Sequence, residues 1–166
     1  MPESNLFIGL RNRFFQRLAM TCPGATTLRV KLHRWRGVEI GEEVWIGYEA
    51  LLETGYPSLI HIGNRVTVSI RATLIAHFRE TRGLWIEDDV FVGPGAYVMP
   101  GVRIGKGSVV TAGSIVTSNV SPMTVVQGNP AKPMARCGMP LNLQTKMADF
   151  LKHLEPIRRT SHGSSS

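Results

Sequence analysis

The sequence predicts an all-β fold: a chain wound as a triangular parallel β-helix about four coils tall, closed at both ends by helical caps. Three observations carry this reading. Aliphatic residues recur at every sixth position, the positions two places earlier are apolar or small, and segments with helical spacing flank the stretch that obeys the rule.

The rule is plainest in "VRIGKGSVVTAGSIVTSN", residues 102–119, where Ile104, Val110 and Val116 follow Val102, Ser108 and Ser114 by two. Six residues of α-helix turn the chain by about 240° net, so these aliphatics would form no stripe. One long strand would set Lys106 and Ala112 on the face of Ile104, and strands usually stop at about 5 to 6 residues. Three short strands joined by tight corners, each pointing one aliphatic inward, satisfy the spacing.

Backwards at six stand Val98, Val92 and Ile86, then Leu74, Val68 and Ile62, then Leu52, Ile46 and Ile40. Eighteen residues per coil, with two excess stretches looped out, predict three interior ladders. These are Ile40–Ile62–Ile86–Ile104, Ile46–Val68–Val92–Val110 and Leu52–Leu74–Val98–Val116. Coils spaced at about 4.8 Å build a prism roughly 19 Å tall, which buries its core only through neighbouring coils and needs caps. Gly at 41, 47, 63, 93 and 105 follows an inward aliphatic and is expected to supply corner freedom. The looped-out stretches are 53–61, "ETGYPSLIH", and 76–83, "AHFRETRG", and such excursions from a rigid scaffold commonly carry function.

The chain divides into a helical or extended cap (1–36), the β-helix (37–131), a closing segment with a helix (132–157) and a polar tail read as disordered (158–166). Leu6, Leu10, Phe14 and Leu18 stand at helical spacing in 5–22 and are expected to cover the open end of the prism. A second reading of 5–22 is a basic amphipathic helix in weak contact with a membrane surface. Leu143, Met147, Phe150, Leu151 and Leu154 predict the opposite cap over 141–157.

Charge is unevenly placed. Residues 1–36 carry seven Lys/Arg against one Glu, 37–131 six against nine, and 132–166 six against two. Basic ends on an acidic body, without a basic stripe of interleaved aromatics, argue against a nucleic-acid partner and for a small polyanion near one end. Cys22 and Cys137 have no metal or redox spacing, which fits a reduced, cytoplasmic setting. No secretory leader and no membrane span are expected, since Arg11 and Arg13 break the apolar start.

The repeat, a looped-out His and the closing segment "GSIVTSNVSPMTVVQGNPAKP" (113–133) resemble the hexapeptide-repeat acyltransferases. That family includes galactoside, maltose, serine and polysaccharide O-acetyltransferases. The resemblance implies a left-handed β-helix, an exception to the usual right-handed crossover. It also implies a homotrimer, acetyl-CoA as co-substrate in a groove between subunits, no metal, and a His that activates the acceptor hydroxyl. A thioester is already activated, so the enzyme need only position a hydroxyl, take its proton and steady an oxyanion.

His77 in "LIAHFRE", three residues after inward Leu74, holds the position of the family's catalytic His. With an ordinary His pKa of about 6.5 it can act as base near neutrality. Glu53 and Glu80 are both candidates to orient it, and this reading leaves the choice open. The family's CoA groove uses late-coil backbone amides, matching Gly93–Pro94 and Thr111–Ala112. Pro94 has no N–H to donate, which shifts the weight to Gly93 and Ala112. Lys132 and Arg136 match the basic residues near the CoA phosphates. Tyr56, Phe78 and Arg79 are expected to line the acceptor pocket, with a sugar or saccharide hydroxyl as acceptor. His61, preceding inward Ile62, should point outward as a bystander. The alternatives are a non-catalytic β-helix scaffold and a γ-type carbonic anhydrase. The latter needs three His on zinc, where the body offers only His61 and His77.

Overall fold

A computed structural model of the chain describes residues 6–78 and 80–157, with Glu80 by its backbone alone. The body is a parallel β-helix with three faces. The first stacks Glu39–Ile40, Ile60–Ile62, Leu84–Ile86 and Arg103–Ile104; the second stacks Trp45–Ile46, Thr67–Val68, Phe91–Val92 and Val109–Val110; the third stacks Leu51–Leu52, Thr73–Leu74, Tyr97–Val98 and Ile115–Val116. Every pairing in the three expected ladders is present, from Ile40 on Ile62 to Val98 on Val116. Inward residues such as Leu52, Leu74, Val98, Val68 and Ile104 are completely buried. Each such side chain contributes about 1.5–3 kcal/mol, but only while the coils above and below exclude water.

The stack continues past the expected last coil. Val120 bridges to Ile104 and Val126 pairs with Val110. Both offsets are sixteen residues rather than eighteen, which is why a strict period of six misses them.

The corners correct one expectation. Gly41, Gly47, Gly63, Gly93 and Gly105 are absent from the left-handed backbone positions. They are small because the next coil lies against them: a Cβ on Gly47 would stand 2.4 Å from the Ile70 amide nitrogen, and one on Gly105 2.5 Å from Pro122 N. Left-handed φ falls two residues later, at Glu43, Glu49, Arg65, Arg71, Asp89, Gly95, Gly101, Gly107 and Gly113. Each of these stands three residues after an inward aliphatic. At the non-Gly corners, ion pairs between coils accompany the strained backbone, as in Arg65 to Asp89 at 2.7 Å and Arg71 to Glu49.

The N-terminal cap is two helices, α1 (Leu6–Thr21) and α2 (Leu28–Arg36). Their packing reverses the expected burial. Leu6, Leu10, Phe14 and Leu18 are exposed, while Asn12, Gln16 and Ala19 are buried. The cause is the open edge of the first coil, whose carbonyls have no earlier coil to donate to them and would be costly to bury bare. Gln16 Nε2 donates to Ala50 O at 3.0 Å, and Arg29 Nη1 to Ile46 O at 2.6 Å. Arg36 Nη2 donates to Leu52 O at 2.8 Å and Glu53 O at 2.7 Å. Polar side chains therefore close the prism where an apolar stripe could not. Beside them His33 is wholly buried with neither ring nitrogen bonded, and burial, then Arg36, pushes its pKa down to about 3.

At the far end the expected long helix is short. The cap is an antiparallel hairpin, Thr124–Gly128 with Ala131–Cys137, joined by a cis Asn129–Pro130 bond and extended by Leu154–Pro156. Helix α3 covers only Met147–Lys152; it buries Phe150 and leaves Leu143, Met147 and Leu151 exposed. Phe150 packs with Val109, Val125, Ala135, Cys137 and Leu141 in a core separate from the prism's. The tail 158–166 lies outside the described residues. Among the described residues no helix is long and apolar enough to cross a membrane, and Cys22 and Cys137 are buried free thiols.

Candidate active site

Two excursions leave the prism at one corner, between the third face and the first. Residue 53 follows inward Leu52, residue 77 follows inward Leu74 by three, and Leu52 pairs with Leu74. Stacking therefore brings the starts of both excursions together. The first runs through Pro57–Leu59, a turn of 3₁₀ helix, back to Ile60. The second is a small hairpin rather than an irregular loop, pairing His77 with Thr81 and Phe78 with Glu80.

Glu53 Oε2 lies 2.7 Å from His77 Nδ1. The same carboxylate accepts the Gly55 amide on Oε1 at 2.7 Å and the Ala76 amide on Oε2 at 3.2 Å. Burial alone would raise the Glu53 pKa, but the bonds from His77, Gly55 and Ala76 hold it below the ordinary carboxylate value. A carboxylate only accepts, so in the neutral imidazole Nδ1 carries the proton and Nε2 presents the lone pair. The Glu53 side chain is 3% exposed and that of His77 44%: one fixed end, one accessible end. Arg36 steadies the arrangement from below by donating to the Glu53 carbonyl.

Of the two carboxylates left open by the sequence, Glu53 meets His77; the Glu80 side chain lies outside the described residues. The Tyr56 ring stands edge-on to the imidazole at 5.0 Å, and Phe78 is 71% exposed at the hairpin. Arg79 lies outside the described residues. His61 points outward on the first face, with Nδ1 2.6 Å from Glu39 Oε2 and its ring stacked on Trp85 at 5.4 Å.

The late coils require a correction. The Gly93 amide donates to Val110 O at 2.8 Å and the Thr111 amide to Val126 O at 3.0 Å, so both are used inside the solenoid. Thr111 Oγ1 is 2.9 Å from Ser114 Oγ. Gly93 is small for packing: its Cβ would stand 2.7 Å from Ala112 N. Ala112 itself is exposed. Lys132 and Arg136 are both exposed on the same hairpin strand, Lys132 opposite Gln127 and Arg136 opposite Thr124, with a bulge between them. Arg136 donates to Thr124 Oγ1 at 2.9 Å and Pro122 O at 3.3 Å. Among the described residues no three His, Cys, Asp or Glu side chains cluster as a metal site.

The family model of the bacterial transferase hexapeptide, six repeats, matches residues 83–118. Over these residues the chain is hexapeptide repeat. Its coils are the left-handed β-helix of that repeat. A hexapeptide-repeat acetyltransferase of Vibrio cholerae, solved with acetyl-CoA, is 23% identical at a TM-score of 0.64, over 78% of this chain and 87% of that one. A maltose O-acetyltransferase from Clostridium difficile is 20% identical at a TM-score of 0.59, over 80% and 89%. A galactoside acetyltransferase in complex with coenzyme A is 26% identical at a TM-score of 0.55, over 78% and 80%. No curated protein sequence matches the chain. The matched repeat covers the last two expected coils, while Glu53 and its loop precede it.

The residues that sequence reasoning missed are Gly55, Ala76 and Arg36. Two act through backbone amides, which any residue type can supply. The third is a buried Arg in one of the two basic ends, where a count of charges does not tell a buried cation from an exposed one.

Proposed function

We propose that this protein is an acyl-CoA-dependent O-acetyltransferase that moves the acetyl group of acetyl-CoA to a hydroxyl of a sugar or saccharide acceptor. The observation that carries this reading is the Glu53–His77 pair: a buried, ionised carboxylate orienting an accessible imidazole. The solved relatives with acetyl-CoA and coenzyme A support the choice of donor.

In the proposed reaction His77 Nε2 accepts the proton of the acceptor hydroxyl as its oxygen attacks the thioester carbon. The imidazolium is stabilised by Glu53, whose own proton affinity is too low to take the proton over. Collapse of the tetrahedral intermediate breaks the C–S bond, and the Nε2 proton passes to the departing sulfur. The products are the acetyl ester and CoA with a free thiol.

Lys132 is the phosphate-facing cation in this reading, and the exposed edge at Ala112 borders the CoA groove. Arg136, already tied to Thr124 and Pro122, shapes the hairpin that carries Lys132. Tyr56 and Phe78 line the acceptor side. The active assembly is a homotrimer with each site between two subunits.

An acceptor screen with acetyl-CoA, following thiol release, tests the proposal. Release that depends on a saccharide and is lost in His77→Ala supports it. A protein that binds acetyl-CoA but releases no thiol with any hydroxyl acceptor is instead a binding scaffold.

A further inference from the structure

Helix α1 has its amphipathic faces the wrong way round for a core element. Asn12, Gln16 and Ala19 are buried against the prism, while Leu6, Leu10, Phe14 and Leu18 stand 40–74% exposed at successive fourth positions. At about 100° per residue this stripe lies roughly opposite the buried face. All charges on the helix are positive: Arg13 and Arg17 border the stripe on one side and Arg11 on the other. On α2, Leu28, Lys31 and Trp35 share an exposed face at helical spacing. Trp35 is 59% exposed, with its ring 5.8 Å from Phe15 of α1.

We infer that this face is an interfacial anchor that lies on an anionic phospholipid bilayer. The stripe would enter the acyl boundary, the arginines would meet lipid phosphates, and Trp35 would sit at headgroup level. A spanning role does not fit: sixteen residues of helix measure about 24 Å, short of a hydrocarbon core of about 30 Å. Charge selects the occupant. With seven Lys/Arg against one Glu in residues 1–36, two copies paired through this face would set like charges together. The stripe also sits on a surface already anchored to the prism by Gln16 and Arg36, so it needs no folding transition to bind.

The test is flotation of the full chain with phosphatidylcholine vesicles and with equal parts phosphatidylcholine and phosphatidylglycerol, alongside light scattering without lipid. Binding is expected to the mixed vesicles only, and to weaken as salt rises. Leu10→Ser/Phe14→Ser should lower the bound fraction about tenfold or more while circular dichroism and mass stay unchanged. Arg13→Glu/Arg17→Glu should abolish the preference for phosphatidylglycerol, and keeps the test open should the first variant fold poorly. Equal flotation with neutral vesicles, or none with either, overturns the inference. So does a fall in mass of Leu10→Ser/Phe14→Ser without lipid, which would assign the face to a contact between copies.

Discussion

The carboxylate of Glu53 and the imidazole of His77 meet at 2.7 Å although 24 residues separate them. One coil plus an excursion accounts for the separation: inward Leu52 stacks on inward Leu74, and each corner then leaves the prism at the same place. The pair is therefore held by the solenoid's register and by the Gly55 and Ala76 amides, not by neighbours in the chain.

If His77 is the general base, His77→Ala should lower kcat about 10²–10⁴-fold. Acetyl-CoA binding, measured by calorimetry, should persist. The imidazole itself fills no core volume, but its loss takes a partner from the buried Glu53 carboxylate, so a modest drop in melting temperature, about 1–3 kcal/mol in stability, is expected without loss of the fold. Wild-type turnover in the variant would remove His77 from the mechanism.

Glu53→Gln separates orientation from packing. The amide oxygen can take the place of Oε1 and accept from Gly55, but the amide nitrogen then stands at the Oε2 position, where it cannot accept from Ala76, donates toward Nδ1 and favours the tautomer with the proton on Nε2. A kcat loss of about 10²–10⁴-fold with little change in acetyl-CoA KM is expected. Glu53→Ala should also destabilise by about 1–3 kcal/mol, because the Ala76 amide loses its buried acceptor. The depressed Glu53 pKa adds stability above the unfolded value, and that stability is lost as pH falls through the lower folded one. Urea titrations of wild type and Glu53→Gln at neutral pH and in strong acid measure the difference.

Lys132→Glu should raise the acetyl-CoA KM about tenfold or more and leave the acceptor KM nearly alone. Arg136→Ala, by contrast, removes bonds to Thr124 and Pro122, and should cost about 1 kcal/mol of stability with a smaller KM effect. Steady-state kinetics with both substrates varied distinguishes the two. Equal effects of Lys132→Glu on both KM values would take Lys132 out of the phosphate site.

His33 sets an acid limit. Its folded pKa of about 3 lies below the ordinary 6.5, so between these values the unfolded chain binds the extra proton. Stability should be complete above pH 6.5 and fall with acid by up to about 1.4 kcal/mol per pH unit within that window. In His33→Leu this slope should vanish, and stability at pH 8 should hold or rise, since two unbonded ring nitrogens are removed. Denaturant midpoints at pH 5 and pH 8 decide it; an unchanged slope would assign the acid sensitivity elsewhere.

The sequence by itself determined the β-helix, its three faces and the residue-by-residue register. Inward aliphatics at a period of six admit one stacking, and a slip would expose a whole ladder. The same register made both excursions and His77 legible. Only the tertiary structure showed that Glu53 meets His77, because a loop glutamate 24 residues away has no visible tie to the imidazole until the first coil is laid on the second. It also decided that the apolar stripe of α1 faces outward. The open carbonyls of Ile46, Ala50, Leu52 and Glu53 need donors, and Arg29, Gln16 and Arg36 supply them. That demand comes from a buried backbone edge, so no hydropathy pattern in the helix could have revealed it.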